Sequence, residues 1–445
     1  MKPVSAIFLS VLCGSVLRAS EGQQIGQTRS SATPSASSST SSPSSGSWPC
    51  FRGSHNGVAD NVSLGEASKV DISEKWKSPT PTGFSSFAIE AGKAFTLITR
   101  EQAGANVETL LALDAATGKE LWAKPLVAAR YDGGGDAGTR DNRGGDGPRS
   151  TPTVDGGKVY VIDGTLMVWC FDANDGHEIW KHDVLQENAG VNIAWQDAAS
   201  PVIDGNLLLM AGGGKGQALM GLDKNTGAVK WKGEDDKMTH ATPILTELLG
   251  VHQCIFLTQI GLVSVDPPTG AVIWRAPFKY STSTAASPVV FEDIVYCSAG
   301  YNVGAGAFKL SKNADGKFVA GPIWRKDGNE LANHWSTPVV KDGYLYGMFS
   351  FKKFGLGPLA CVDIRTGEVK WRQAGFGPGQ LILSAGTLIA LTDKGEVVFA
   401  AADPAKYQEL KRQQLVSGKI WSYPAIANGC LYARSTVEGG CWQLK

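Results

Sequence analysis

The chain has 445 residues, and its 42 lysines and arginines balance 42 aspartates and glutamates, for a formal net charge of zero. That balance gives no support to a nucleic-acid partner or to a polybasic hold on a membrane. With 54 glycines and 13 tryptophans, the composition suits a turn-rich β protein better than a helical one.

The chain opens on "MKPVSAIFLSVLCGSVLRAS", where Lys2 precedes an apolar run over residues 4–17 that is too short to span a bilayer comfortably. Residues 1–20 therefore read as a secretory signal peptide. The expected address is exported, periplasmic or extracellular, with tethering to the envelope left open. Residues 21–47 are rich in serine, threonine and proline and lack apolar periodicity, so a disordered linker is expected there. The folded domain is expected over residues 48–445.

Within that domain one word returns: "LLALDAATGKELW", "VWCFDANDGHEIW", "LMGLDKNTGAVKW", "LVSVDPPTGAVIW" and "LACVDIRTGEVKW". In every copy Gly follows Asp by four residues and Trp by eight, as in Asp114, Gly118 and Trp122. Alternation before the Asp predicts a strand, Asp-x-x-Thr-Gly a tight turn, and the run up to Trp a returning strand. A second word precedes the copies, as in "STPTVDGGKVYVI", "ASPVIDGNLLLM" and "STPVVKDGYLYGM", and predicts two more strands. Together they make a four-stranded antiparallel meander, the unit of a propeller blade.

Trp122, Trp180, Trp231, Trp274, Trp324 and Trp371 close six such units, although the Trp324 copy carries a longer loop instead of the Asp-Thr-Gly turn. A seventh, degenerate copy has "YQELKRQQ" where the Trp strand belongs. The eighth ends one strand short at "GCWQL". The orphan strand "ISEKWK", with Trp76, is expected to complete it, since a ring closed this way leaves no free sheet edge. The predicted fold is all-β, an eight-bladed propeller closed by an N-terminal strand.

The repeated word resembles the tryptophan-docking motif of the quinoprotein-like, or PQQ-like, propeller family, and the match extends over nearly all of the chain from Trp48 onward. "WPCFRGSHNGVAD" is similar to the opening of secreted bacterial members, a branch that resembles the propeller lipoprotein of the outer-membrane barrel assembly machinery. The resemblance implies that Trp76, Trp122, Trp180, Trp231, Trp274, Trp324 and Trp371 dock blade against blade. It also raises the chemistry of the family's dehydrogenases, which hold a quinone and a calcium ion in the central funnel, often above a vicinal disulfide. This chain has no adjacent cysteine pair. A repeat names a fold and not an activity.

Hydrolase and nucleotide motifs are missing, and "AGGGKGQ" is expected to be a hairpin loop because no helix follows it. Past the signal the seven cysteines are Cys50, Cys170, Cys254, Cys297, Cys361, Cys430 and Cys441, without the spacing of a zinc or thioredoxin-type site. Cys430 and Cys441 are placed to pair across neighbouring strands. His55, His177, His182 and His252 fall in turns where a solvated ring is the default.

His240 and His334 differ, because they precede the inner-strand words in "THATP" and "NHWSTP". The same slot in other copies holds Arg149, Trp195 with Gln196, and Trp421, while Trp335 adjoins His334. These seven residues are expected on one funnel rim, either binding a ligand or peptide or simply plugging the channel. Residues 131–150, glycine-rich and charged, are a candidate contact loop. No metal site and no catalytic residue are expected. The preferred function is a monomeric, non-catalytic exported scaffold that binds a protein, peptide or envelope component and needs no cofactor. The alternative is a PQQ- and calcium-dependent alcohol or sugar dehydrogenase.

Overall fold

The computed structural model describes residues 46–59, 66–129, 147–281, 284–349 and 355–445. The signal peptide, most of the linker and most of the candidate loop at 131–150 lie outside the described residues. Eight antiparallel four-stranded meanders follow one another along the chain, as the repeat spacing predicts. Blade 2 is typical: its strands are Thr153–Asp155, Lys158–Ile162, Met167–Asp172 and Glu178–Asp183, paired in that order. The two middle strands are buried on both faces, while the outermost alternates between buried and exposed residues. Among the described residues the helix is a single short turn, Val184–Asn188, capped by the Asp183 carboxylate on the Gln186 amide. No helix among them is long and apolar enough to cross a membrane. "AGGGKGQ" joins Leu207–Ala211 to Leu219–Asp223 as a hairpin loop.

The Asp-Gly-Trp spacing is a docking device. In the turn after the third strand, Asp114 Oδ1 accepts from the amides of Ala116 and Thr117 and from the Thr117 hydroxyl. These bonds favour the ionised carboxylate and hold its pKa below the usual range. The turn then puts Gly118 at φ +71°, with Trp76 of the preceding blade in sequence around the ring so close that an added Cβ would lie 2.5 Å from the indole. Trp76 Nε1 meanwhile donates to the Ala115 carbonyl at 3.0 Å. The same lock joins Trp180 to Lys224 and Gly227, Trp231 to Pro267 and Gly270, and Trp324 to Ile364 and Gly367.

Three joints vary the device. Trp122 covers Gly176, but its indole N–H has no hydrogen-bond partner. Trp274 meets no glycine turn, because blade 5 carries the longer loop around Asn313; its N–H donates instead to Gln253 within its own blade, at 2.6 Å. Trp371 reaches the Asp403 carbonyl of blade 7 at 2.8 Å. In blade 7 itself, Lys411 takes the Trp position, just past the bulge at Leu410, and Lys411 and Gln413 tie the strand to the carbonyls of Val70 and Ile72.

Blade 8 combines Ala425–Ala427, Cys430–Arg434 and Glu438–Leu444 with the early strand Ile72–Pro79. Pairing runs antiparallel from Ile72 opposite Leu444 to Pro79 opposite Glu438, with a bulge at Lys75. Arg434, fully buried, donates to the Thr96 hydroxyl and to the carbonyls of Leu97 and Thr80, which belong to blade 1 or its approach. Burial lowers its pKa to about 9.

Deleting residues 70–80 is expected to leave blade 8 one strand short and to lower the melting temperature sharply; a truncated chain that melts like the full one would refute the closure. Trp180→Ala is expected to cost about 3 kcal/mol or more in chemical denaturation, the usual loss for a buried indole. His182 departs from expectation: it is buried on the outer strand of blade 2, between Asn188 at 2.5 Å and Glu187 at 3.3 Å.

Candidate functional site

The segment 48–59, which begins on "WPCFRG", lies across the centre of the ring. Trp48 exchanges two 2.8 Å backbone bonds with Ile89 on the inner strand of blade 1, and the Pro49 carbonyl accepts from Val154 in blade 2. Arg52, 2% exposed, donates to the Pro338 carbonyl at the inner strand of blade 6 at 2.9 Å. Its guanidinium also lies 5.5 Å from the ring of Tyr423, which packs edge-on against Phe51 at 5.1 Å. The short strand Val58–Ala59 then pairs in parallel with Gln380–Ser384, the inner strand of blade 7. One segment therefore touches five blades and fills the space where their inner edges meet.

Around it runs a belt of hydroxyl groups. The Ser86 amide donates to Thr151 Oγ1, the Thr151 amide to Ser200 Oγ and the Ser200 amide to Thr242 Oγ1, at 2.9–3.0 Å. Ser287 Oγ donates to the Thr242 carbonyl, and the Ser287 amide donates to Thr337 Oγ1. The Thr337 amide meets the Tyr423 hydroxyl, and the Tyr423 amide returns to Ser86 Oγ. Blade 7, which lacks this hydroxyl, is bridged by Gln380, whose amide nitrogen donates to the carbonyls of both Trp335 and Trp421. The belt explains why Ser or Thr stands before Pro in the inner-strand words: the hydroxyl satisfies a neighbour's buried amide.

Above the belt is a cavity of about 70 Å³ lined by Phe51, Phe84, Arg149, His240, Trp335, Trp421 and Tyr423, with small residues between them. Its wall is a row of rings. Phe84 stacks on Trp421 at 4.2 Å, Trp421 on Trp335 at 4.3 Å, and Trp335 meets His334 edge-on at 4.9 Å. Tyr301 continues the row against His334 at 5.1 Å. Trp335 is fixed further by its N–H on the Pro378 carbonyl at 3.1 Å.

Of the seven expected rim residues, Arg149, His240, Trp335 and Trp421 line this cavity together. His334 stands behind Trp335. Trp195 and Gln196 reach the group through their backbones: Arg149 donates to the Trp195 carbonyl at 2.5 Å, and His240 Nε2 donates to the Gln196 carbonyl at 2.8 Å. Both residues have positive φ, +70° and +66°, an uncommon pair for non-glycine residues that costs local strain. Asn192 braces the turn through Gln196 Oε1 at 2.9 Å. Sequence patterning gave Phe51, Phe84 and Tyr423 no role, although the first lies in the quoted "WPCFRG" motif and the third in the inner-strand word "SYP".

Among the described residues lining the cavity, the permanent charge is the Arg149 guanidinium. Burial, with Arg149 adding to it, pushes the His240 pKa down to about 3, so the imidazole is neutral at physiological pH. Among the described residues the lining holds no carboxylate. Acidic groups lie behind it instead. Asp197, Asp163 and Glu108 are all buried, and burial, reinforced by the other two charges, raises the Asp197 pKa to about 8. Asp197 Oδ1 accepts from the Ala199 amide at 3.2 Å, whereas Oδ2 has no hydrogen-bond partner.

A family model described as outer membrane protein assembly factor BamB matches residues 106–373, more than half of the chain. The chain belongs to this family. A BamB of Moranella endobia is 26% identical over 275 residues, covering 59% of this chain and 62% of that relative, so the match spans less than two thirds of its length. Among solved structures, BamB from Moraxella catarrhalis superposes with a TM-score of 0.55 at 15% identity, covering 84% of this chain and all of that one. The quinohemoprotein alcohol dehydrogenase of Comamonas testosteroni superposes with a TM-score of 0.60 at 13% identity, covering 89% and 80%. At these identities the superpositions speak for the shared propeller alone.

A quinone with calcium is poorly served by the described cavity. Calcium asks for six to eight oxygen ligands, carboxylates foremost, and the lining supplies none of the latter. Nor do three acidic, histidine or cysteine side chains among the described residues gather in a geometry suited to a metal. The cavity also falls well short of the roughly 300 Å³ at which pockets for drug-sized ligands begin.

Asp197 makes a pH prediction. Its folded pKa of about 8 lies above the ordinary value near 3.9. Between those values the folded chain keeps a proton that the unfolded chain releases, so stability falls as pH rises through the window. Asp197→Asn, which mimics the protonated acid, is expected to raise the melting temperature by an amount that grows from pH 4 to pH 8. A constant difference across that range would refute the assignment.

Proposed function

We propose that this chain is an exported, non-catalytic scaffold of outer-membrane protein assembly, and that it binds a protein, peptide or envelope component at the funnel mouth. Membership of the BamB family supports the setting. The observation that supports the surface is the row Phe84–Trp421–Trp335, three stacked rings held on a rigid belt beside a guanidinium. Aromatic and arginine anchors with fixed geometry carry a large share of binding energy in protein interfaces, because little conformational freedom is lost on contact.

The quinone-dependent dehydrogenase reading shares only the propeller with the Comamonas enzyme and is opposed by the chemistry of the described lining. The test is direct. Purified protein is given PQQ and calcium, then alcohols and sugars with a dye acceptor. No dye reduction is expected, and turnover would overthrow the scaffold reading.

Trp195→Ala is expected to weaken capture of the partner from envelope extract by about 1–3 kcal/mol, with the melting temperature almost unchanged. Trp335→Ala is expected to weaken capture too, but with some loss of stability, since its ring is stacked and hydrogen-bonded. Trp180→Ala is the contrasting control, lowering stability first. Capture that tracks melting temperature across all three variants would remove the rim from the proposal.

A further inference from the structure

We propose that Cys430 and Cys441 are a dithiol that closes to a reversible disulfide, cross-linking the hairpin on which the N-terminal strand closes the ring. Cys430 begins the strand Cys430–Arg434, and Cys441 lies on Glu438–Leu444, the strand that pairs with Ile72–Pro79. In the register, Cys430 faces Gln443 and Tyr432 faces Cys441. The two cysteines are therefore diagonal neighbours on one face of adjacent strands. Both are buried. Cys170, Cys254, Cys297 and Cys361 stand each on a different blade, and Cys50 belongs to the central segment, so the fold offers this one pair within a blade among the described residues.

The surroundings assign unequal roles. The bulge at Lys75 brings its ammonium to 3.9 Å from Cys430 Sγ, and Gln443 Oε1 lies 3.6 Å away. The Lys75 ammonium beside Cys430 Sγ favours the thiolate there, and no such cation stands beside Cys441 among the described residues. Cys430 is thus the nucleophile and Cys441 the resolving thiol. With a small disulfide RSSR as oxidant, the Cys430 thiolate attacks one sulfur and expels RS⁻, leaving Cys430–S–S–R. Cys441 loses its proton, attacks the Cys430 sulfur and expels the second RS⁻. Two thiols and RSSR become one internal disulfide and two RSH. Diagonal neighbours lie farther apart than directly opposed ones, so the bond forms with strain and is readily reduced again, as strained disulfides are.

The experiment treats the folded full-length chain with oxidised glutathione, quenches it with acid, alkylates the remaining thiols in denaturant and maps the peptides without reduction. A Cys430–Cys441 linkage that dithiothreitol reverses is the expected result. Both residues alkylated, or either one linked elsewhere, would overturn the proposal. Cys441→Ser is expected to trap glutathione on Cys430, whereas Cys430→Ser should leave Cys441 unmodified; the reverse pattern would overturn the assignment of roles. Should either variant fail to fold, the wild-type map alone still decides the linkage. Lys75→Met should slow the loss of the Cys430 thiol by about threefold or more, because less of it is ionised, and an unchanged rate would remove Lys75 from the mechanism.

Discussion

A blade of four strands has two apolar faces and can bury them only against its neighbours, so the molecule depends on closing the ring. The buried clusters show this directly. Tyr160, Trp180, Leu208 and Met220 join blades 2 and 3, and Ile255, Trp274, Val295 and Phe308 join blades 4 and 5. The cluster at the closure spans blades 7, 8 and 1 and takes in Trp48 and Ala59 of the central segment as well. Interleaving chain ends at the joint converts what would be two open faces into one shared core. Arg434 adds backbone bonds across the same joint, at the cost of burying a guanidinium without a carboxylate.

Closure then shapes the centre. Eight inner strands converging on an axis leave amides of the entering connections without sheet partners, and such groups are costly when buried. One hydroxyl meets this demand in each of blades 1, 2, 3, 4 and 6 and a tyrosine meets it in blade 8, while Ser287 of blade 5 donates to a carbonyl and Gln380 spans blade 7. Because the belt is continuous, the connections above it stand on a fixed base. The aromatic row of the mouth inherits that rigidity, on which the proposed binding surface rests.

Local patterning made the blades legible, since Asp, Gly and Trp recur within nine residues in each copy of the word, although in most copies the Trp docks on the turn of the next blade. The N-terminal strand was legible for the same reason: "EKW" is a fourth-strand word with no blade of its own. What patterning could not supply were contacts set by ring geometry. Arg52 meets Pro338 across 286 positions, and Thr337 meets Tyr423 across 86, with no periodicity to announce either. The Ser-Pro and Thr-Pro pairs were visible as strand openers, but their hydroxyls acquire a purpose only once blades stand side by side. Trp274 fits the spacing yet docks differently, because its partner blade had exchanged the glycine turn for a longer loop. His182 looked solvated because a turn precedes it, whereas the outer strand turns it inward.

The same closed ring superposes on an assembly factor and on an alcohol dehydrogenase, so the ring itself cannot decide between binding and catalysis. The decision falls to the few side chains that line the axis. In this chain Phe51 and Arg52 occupy the centre from one side, and the described lining offers rings, one guanidinium and a neutral imidazole. Groups of that kind hold a partner through contact area and charge, but none of them is a carboxylate base or an oxygen cage for a hard cation. Among the described residues, Asp197, Asp163 and Glu108 are buried behind the lining, and Asp197 retains its proton at neutral pH, so these acids serve the wall rather than the opening. The axis, among those same described residues, is filled by the chain's own side chains, and the proposed binding rim rests on that filling.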